Sequence, residues 1–353
     1  MTLKFPTPSA SSEYQDTIDE GFKLYPQRYE NFLIYKKNSR CAEPSYLPIK
    51  MDIEPLSRCN FKCDMCIVSS FPAQKRAEDL TLDSFKQIID QNIGLYEIKI
   101  QGLGEPFLHP DFTKMVEYAA SKHIWTRSTT NGSFLHKNEN YKKIIDANIG
   151  ELQISIDGCK KESYEKIRVN ANFEKTINNV KLINKYQNDL NLNKTRMWFL
   201  LQDLNFDDLF EVPKFAKELG FKRVTISLDI IGWNQDDWEI KNSEKSRASS
   251  ITQNDIDMLL QQASELDIDL SFWGISSKYT EQNPCPWPFE RSFISSDEFI
   301  LPCCMISNPN TFNFGKKETN FKETWNSKAY VDFRQAHLDN IISDVCKFCY
   351  ARD

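Results

Sequence analysis

Six short β-rich runs, each followed by a helical segment, constrain this chain more than any other feature. The runs are IKMDIE (49–54), YEIKIQG (96–102), WTRSTTNG (125–132), LQISIDG (152–158), RMWFLLQ (196–202) and RVTISLD (223–229). Amphipathic stretches such as LDSFKQIIDQNI, FTKMVEYAASKH and FEKTINNVKLINKY lie between them. Strand followed by helix, repeated in this way, predicts a parallel α/β architecture. Periodicity alone does not separate an open sheet from a curved partial barrel. Thr81 and Asp111 are expected helix N-caps, and Gly220 an expected C-terminal stop.

The flanks read differently. Residues 1–46 form an extension with scattered aromatics, expected to hold one or two helices packed on the main domain. Residues 229–251 lack clear periodicity and are expected to be a lid, a binding loop or a disordered connection. A helix is expected at 253–266, followed by the short run LSFWG. After Pro284, RSFISSDEFILPCC reads as two strands joined by a polar turn, and FKETWNSKAYVDFRQAHL as a helix. The expected boundaries are therefore 1–46, 47–270 and 271–353, within reach of a 353-residue chain. A net charge of -6 gives no basic excess for a nucleic-acid partner. No signal peptide and no membrane-length apolar stretch is evident, so a cytoplasmic location is the expectation.

Ten cysteines in such a chain read as metal ligands or free thiols rather than disulfides. Cys59, Cys63 and Cys66 stand in a C-x3-C-x2-C spacing just after the first strand. Four thiolates normally hold an iron–sulfur cubane, and three leave one iron open to a small molecule. Structural zinc wants four N or S ligands in tight pairs, which this spacing fits poorly. A second group lies near the end of the chain: Cys285, Cys303, Cys346 and Cys349, with Cys304 beside one of them. On spacing alone this second group suits zinc at least as well as iron–sulfur. Only four histidines are present, and none forms HExxH; His109 is expected to be structural.

The motif C-x3-C-x2-C after the first strand of a βα repeat resembles the signature of the radical S-adenosylmethionine (SAM) superfamily. That resemblance implies a partial (β/α)6 barrel over residues 47 to roughly 270. It further implies a [4Fe–4S] cluster whose open iron chelates SAM and whose electron splits SAM into methionine and a 5′-deoxyadenosyl radical. An electron donor such as flavodoxin or ferredoxin is the expected partner. The residue before the third cysteine is often aromatic in the family; here it is Met65, and a thioether also packs on a ring. Later motifs agree in order. GLGEP places Gly104 and Glu105 where the family meets the methionine amino group. STTNG places Thr130 and Asn131 beside the cofactor. ISIDG offers Ser155 to the SAM carboxylate or ribose, with Asp157 organising the loop. Arg168 is expected either to reach the carboxylate or to pair with Glu165, and Gln202 to end the fifth strand as a polar contact. Ligands in parallel α/β folds bind at this edge of the strands.

The C-terminal segment resembles the SPASM/twitch cluster-binding domain, in its shorter twitch-like form. The resemblance implies one auxiliary [4Fe–4S] cluster on Cys285, Cys303, Cys346 and Cys349, with Cys303 preferred over Cys304. Four protein thiolates leave no open iron, which suits electron transfer. The chain thereby resembles the aminoglycoside dehydrogenases of the superfamily, and the first expectation is dehydrogenation of a small polyol or sugar. Asp229, Asp236, Asp237 and Glu239 are candidate general bases, equally readable as a solvated acidic loop. The second expectation is radical modification of a peptide: thioether formation, epimerisation or crosslinking. Against it, the extension is short for a complete leader-binding winged helix. A third reading is a non-catalytic iron–sulfur or zinc protein, which the ordered motifs oppose.

Overall fold

The computed structural model describes residues 3–232, 235–274, 278–317 and 320–350. The chain divides into two compact units. One comprises Met1–Ser11, Cys59–Gln74 and Ser128–Gly274, the other Ser12–Arg58, Lys75–Arg127 and Ile275–Asp353.

The strands, in chain order, are β1 (Lys50–Ile53), β2 (Glu97–Ile100), β3 (Trp125–Thr130), β4 (Glu151–Ser155), β5 (Thr195–Leu200), β6 (Arg223–Ser227), β7 (Asp269–Trp273), β8 (Arg291–Ile294) and β9 (Ile300–Leu301). The chain passes from one unit to the other within β3. Strands β1 to β6 are each followed by at least one helix. This is a partial (β/α)6 barrel with a two-helix N-terminal extension and a small C-terminal segment.

In the first unit β4, β5, β6 and β7 lie side by side and parallel, with Ser155 opposite Trp198 and Ile226 opposite Phe272. Every residue of β4 and β6 is buried. The polar ones are paired: Glu151 Oε2 accepts from Arg223 at 2.8 Å and from Arg196 at 3.2 Å. The run LSFWG thus extends the sheet as a seventh parallel strand. Gly220 closes the helix Val212–Glu218 at φ +82°, a left-handed conformation that glycine adopts without steric cost.

In the second unit the order is β2, β1, β8, β9, with β8 parallel to β1 and antiparallel to β9. The hairpin after Pro284 is therefore present. Thr81 caps the helix Leu82–Gln91 by accepting from Ser84 N at 3.0 Å. Asp111 precedes its helix but makes no cap bond, binding Lys114 instead. Helices Glu13–Leu24 and Pro26–Lys37 pack Phe22 and Phe32 against Ile49 and Tyr96.

One expectation needs correcting. Residues 236–245 of the supposed loop form the helix Asp236–Lys245. Its outer face is mostly polar, with Ile240 exposed among charged neighbours, so no apolar stripe announces it. Asp236, Asp237 and Glu239 in the first turn and Lys245 in the last complement the helix dipole. Trp233 and Asn234 lie outside the described residues. Among the described residues no helix is long and apolar enough to cross a membrane.

Candidate functional site

The cysteine loop belongs to the first unit. Cys59, Cys63 and Cys66 gather with Phe61, Met65, Ile167, Ile230 and Leu200 in one apolar cluster. The loop is held by hydrogen bonds that cross it. Gln74 Nε2 donates to Cys59 O at 3.1 Å and to Phe61 O at 2.9 Å. Lys62 N donates to Val169 O, and Cys66 N to Cys63 O. Burial pushes the Cys63 thiol up to about 12, with Arg168 opposing, and raises Cys66 for the same reason. Buried thiols of this kind are poor nucleophiles, yet a bound metal cation offsets the cost of the thiolate charge. Cys159 is no fourth member: its N–H bonds Asp208 Oδ2 at 2.9 Å and its sulfur lies 3.8 Å from Asp208 O. Three convergent sulfurs on a shielded loop fit an iron–sulfur cluster with one open iron.

The loops at the ends of the strands in this unit converge on the cysteines. Asn131 Nδ2 donates to Asn60 Oδ1 at 3.0 Å and stands 3.9 Å from the Cys59 sulfur. Its Oδ1 accepts from Ser133 N, and Thr130 Oγ1 accepts from Gly132 N. Asn60, Ser133 and Gln74 carry no motif and were missed from sequence. Asp157 is fully buried and does organise its surroundings, accepting from Leu200 N at 2.8 Å. Arg168 pairs with Asp157 at 2.6 Å, not with Glu165, which accepts from Phe173 N. Ser155 sits buried at the C-terminal end of β4. Gln202 caps the following 3-10 turn through its side-chain oxygen, while its Nε2 is buried without a hydrogen-bond partner.

Helix Asp236–Lys245 grips the cysteine loop. Buried Asn242 donates to Met65 O at 3.1 Å and to Ile231 O at 2.7 Å. Lys241 and Lys245 pair with Asp64 at 2.8 and 2.5 Å and lower its pKa. Asp64 is exposed, so these ion pairs are screened and the buried amide does more of the holding. Of the candidate bases, Asp236 and Asp237 are exposed and Glu239 half-buried in the first turn of this helix. Asp229 is half-buried just beyond β6.

The GLGEP turn belongs to the second unit. Glu105 N donates to Arg58 O at 2.9 Å, fastening the turn to the residue before Cys59. The buried Glu105 carboxylate accepts from Phe107 N at 3.2 Å and caps the turn Pro106–Leu108. Glu54, fully buried at the end of β1, accepts from Leu103 N at 2.9 Å, Ser296 N at 2.9 Å and Arg76 at 2.5 Å. His109 bonds at both ring nitrogens, to Leu80 O and from Asp111 N, as a structural histidine does. A Cβ on Gly104 would lie 2.6 Å from Arg58 O and 2.7 Å from Leu56 O, both backbone atoms that cannot swing away. Gly104→Ala is therefore expected to cost about 1–3 kcal/mol, the usual range for overpacking. Urea unfolding of the two proteins checks this; unchanged stability would contradict this packing.

The later cysteines also lie in the second unit. Burial pushes Cys303 well above its ordinary range, and Cys304, Cys346, Cys285 and Cys349 add to it electrostatically. Cys346 is raised by burial and then by Cys285 and Cys349. Cys285, Cys346 and Cys349 thus all act electrostatically on Cys303. Cys304, pushed up to about 12, feels Asp52, Lys99 and Arg291 before Cys349. Four half-buried thiols in one unit fit a fully ligated cluster. Among the described residues no three His, Cys, Asp or Glu side chains are arranged to hold a single metal ion.

Comparison with known proteins agrees with this arrangement. The chain matches the radical SAM superfamily over residues 53–211 and the SPASM iron–sulfur cluster-binding domain over residues 285–350. It is 32% identical over 170 residues to a GTP 3′,8-cyclase of Aliarcobacter butzleri, covering 46% of this chain and 50% of that one. It is 25% identical over 194 residues to mycofactocin maturase MftC of Mycolicibacterium smegmatis, covering 54% and 47%. The chain spans about half the length of these relatives. SuiB of Streptococcus suis, solved with its precursor peptide SuiA, superposes with a TM-score of 0.67 at 15% identity, covering 91% of this chain and 74% of that one. The cofactors are SAM, a [4Fe–4S] cluster and an auxiliary iron–sulfur cluster. The chain carries a radical SAM domain over residues 53–211 and a SPASM-type iron–sulfur cluster-binding domain over residues 285–350.

Proposed function

We propose that this enzyme oxidises its substrate by two electrons, dehydrogenating an alcohol carbon of a small polyol or sugar. The observation that carries the proposal is the group of four neighbouring thiols, Cys285, Cys303, Cys346 and Cys349. With all four corners held by protein, the auxiliary cluster has no open site for substrate and serves as an electron sink. The bound cofactors supply a 5′-deoxyadenosyl radical, generated with one electron from a flavodoxin- or ferredoxin-type donor.

The rest falls to the chain. Cys59, Cys63 and Cys66 hold the SAM-binding cluster. Met65, Gly104, Glu105, Thr130, Asn131 and Ser155 line the cofactor, with Arg168 and Gln202 behind them. Arg168 is engaged with Asp157 and Gln202 with the next turn, which supports supporting roles for both. The substrate loses a hydrogen atom from carbon to the deoxyadenosyl radical. It then loses the remaining electron and the hydroxyl proton, leaving a ketone. Among the acidic candidates Asp229 is the half-buried one at a strand end, and we assign it the proton. Cys303 rather than Cys304 is the ligand, since its neighbours are the other three thiols. The domain boundaries 1–46, 47–270 and 271–353 go with this reading.

A second substrate class, a peptide, is supported by the names of two similar proteins, the maturase MftC and peptide-bound SuiB. The test is anaerobic turnover of reconstituted enzyme with SAM and reductant, followed by mass spectrometry. A polyol two mass units lighter, formed in step with 5′-deoxyadenosine, is the expected result. A modified peptide with polyols untouched would overturn the polyol reading in favour of the second.

A further inference from the structure

Side chains along a strand alternate between the two faces of a sheet, so a few contacts fix which residues of β5, β6 and β7 share a face. Arg196 on β5 donates to Thr225 Oγ1 on β6 at 3.2 Å and to Ser271 Oγ on β7 at 3.4 Å, and those two hydroxyls lie 2.9 Å apart. Two residues further along, the same face carries Trp198 on β5 and Trp273 on β7. Two further again it carries Leu200, which packs against the cluster holding Cys59, Cys63 and Cys66. This face therefore looks toward the cysteine loop. Ser155, assigned above to the cofactor, is the register partner of Trp198. Trp198 and Trp273 are half-buried, with ring centroids 5.8 Å apart and planes inclined at 59°. They make a corner rather than a stack. Asp229 stands beside it: a Cβ on Gly274, the residue after Trp273, would lie 3.4 Å from Asp229 Oδ2.

We infer that Trp198 and Trp273 bind the substrate, stacking on the C–H face of a sugar or cyclitol ring and presenting its rim to Asp229. The inference deepens the polyol reading under Proposed function and rests on it. A six-membered polyol ring carries axial hydrogens on its faces and hydroxyls around its rim. Those C–H bonds are slightly positive at hydrogen and meet the negative face of an indole. The rim needs polar partners, and a carboxylate accepts from hydroxyls. Aromatic walls with a few placed polar groups are the usual make-up of a small-molecule site. The place is also the right one, among the residues assigned to the cofactor, the cluster and the proton. Arg196 and Arg223 on this face are both bound to Glu151, which suits a neutral ring rather than a phosphorylated one.

The test uses the full reconstituted chain, loaded with SAM and left unreduced, so that binding is read without turnover. D-Glucose, D-glucosamine and scyllo-inositol are the probes, titrated by isothermal calorimetry. Trp198→Leu and Trp273→Leu, each checked for iron content, keep an apolar side chain and lose the ring face. Each is expected to weaken the tightest-binding probe about tenfold. Trp198→Phe and Trp273→Phe keep a smaller ring and are expected to lose only about threefold. They carry the test alone if a leucine variant fails to take up iron. Unchanged affinity in the iron-loaded variants, or as large a loss with phenylalanine as with leucine, would overturn the inference alone, provided the reduced parent oxidises the probe. Binding of none of the three probes by the parent would sink the polyol reading and the inference with it.

Discussion

Replacing Cys59, Cys63 and Cys66 together by Ala is expected to lower the iron of the anaerobically reconstituted protein from about eight to about four atoms per chain, on the count for two cubanes. It also abolishes 5′-deoxyadenosine formation. Both effects have one cause. These three sulfurs share one shielded cluster on a loop whose backbone is tied by Gln74, Val169 and Asn242, and Cys159 is committed to Asp208. Among the described residues of that unit no other thiol stands ready to replace them, so the loss is complete rather than graded. The auxiliary four survive because their burial and mutual contacts lie in residues 285–349 of the other unit. Iron and sulfide analysis beside product quantification checks the expectation. Retention of more than about six irons, or persistent 5′-deoxyadenosine, would show that the loop is not the SAM-binding ligand set.

The second large effect is on stability. Arg168→Ala is expected to cost about 3–5 kcal/mol, the range for stripping one partner from a buried ion pair. Asp157 is fully buried and Arg168 is 8% exposed. Their 2.6 Å contact lacks the alignment of a hydrogen bond at Asp157 Oδ2, so the attraction is chiefly coulombic. Without the guanidinium, Asp157 keeps only its bond from Leu200 N for an ionised carboxylate in an apolar surrounding. Asp157→Asn combined with Arg168→Met removes both charges together and is expected to recover much of the loss. Urea unfolding of the metal-free chain, followed by circular dichroism, measures both variants. A cost under about 1 kcal/mol for Arg168→Ala would mean that water reaches the pair, as at an exposed salt bridge.

Much of the site was legible because its residues are local. The spacing of Cys59, Cys63 and Cys66 and the turn Thr130-Asn131-Gly132 are each a few residues long. Each carries its geometry in its own residue types: thiols at fixed intervals, and a glycine at φ +76°. The partners were not legible. Arg168 finds Asp157 eleven positions earlier rather than Glu165 three earlier, because Asp157 follows the end of β4 and Arg168 stands at the far end of the helix Lys161–Ile167 that comes after it. Asn60 meets Asn131 and Asn242 meets Met65 across long stretches of sequence, and no pattern in either neighbourhood signals a long-range amide.

The amino-acid sequence alone determined the six βα repeats, the caps at Thr81 and Gly220, the hairpin β8–β9 and the two cysteine groups. Hydrophobic periodicity, turn chemistry and ligand spacing act within a few residues of each other, so they can be read along the chain. Tertiary structure decided the helix Asp236–Lys245 and the seventh strand. That helix has a polar surface, and its hold on the cysteine loop through Asn242, Lys241 and Lys245 is part of what keeps it there. Isolated helices of this length are marginal in water, because nucleation costs more than a few backbone bonds return.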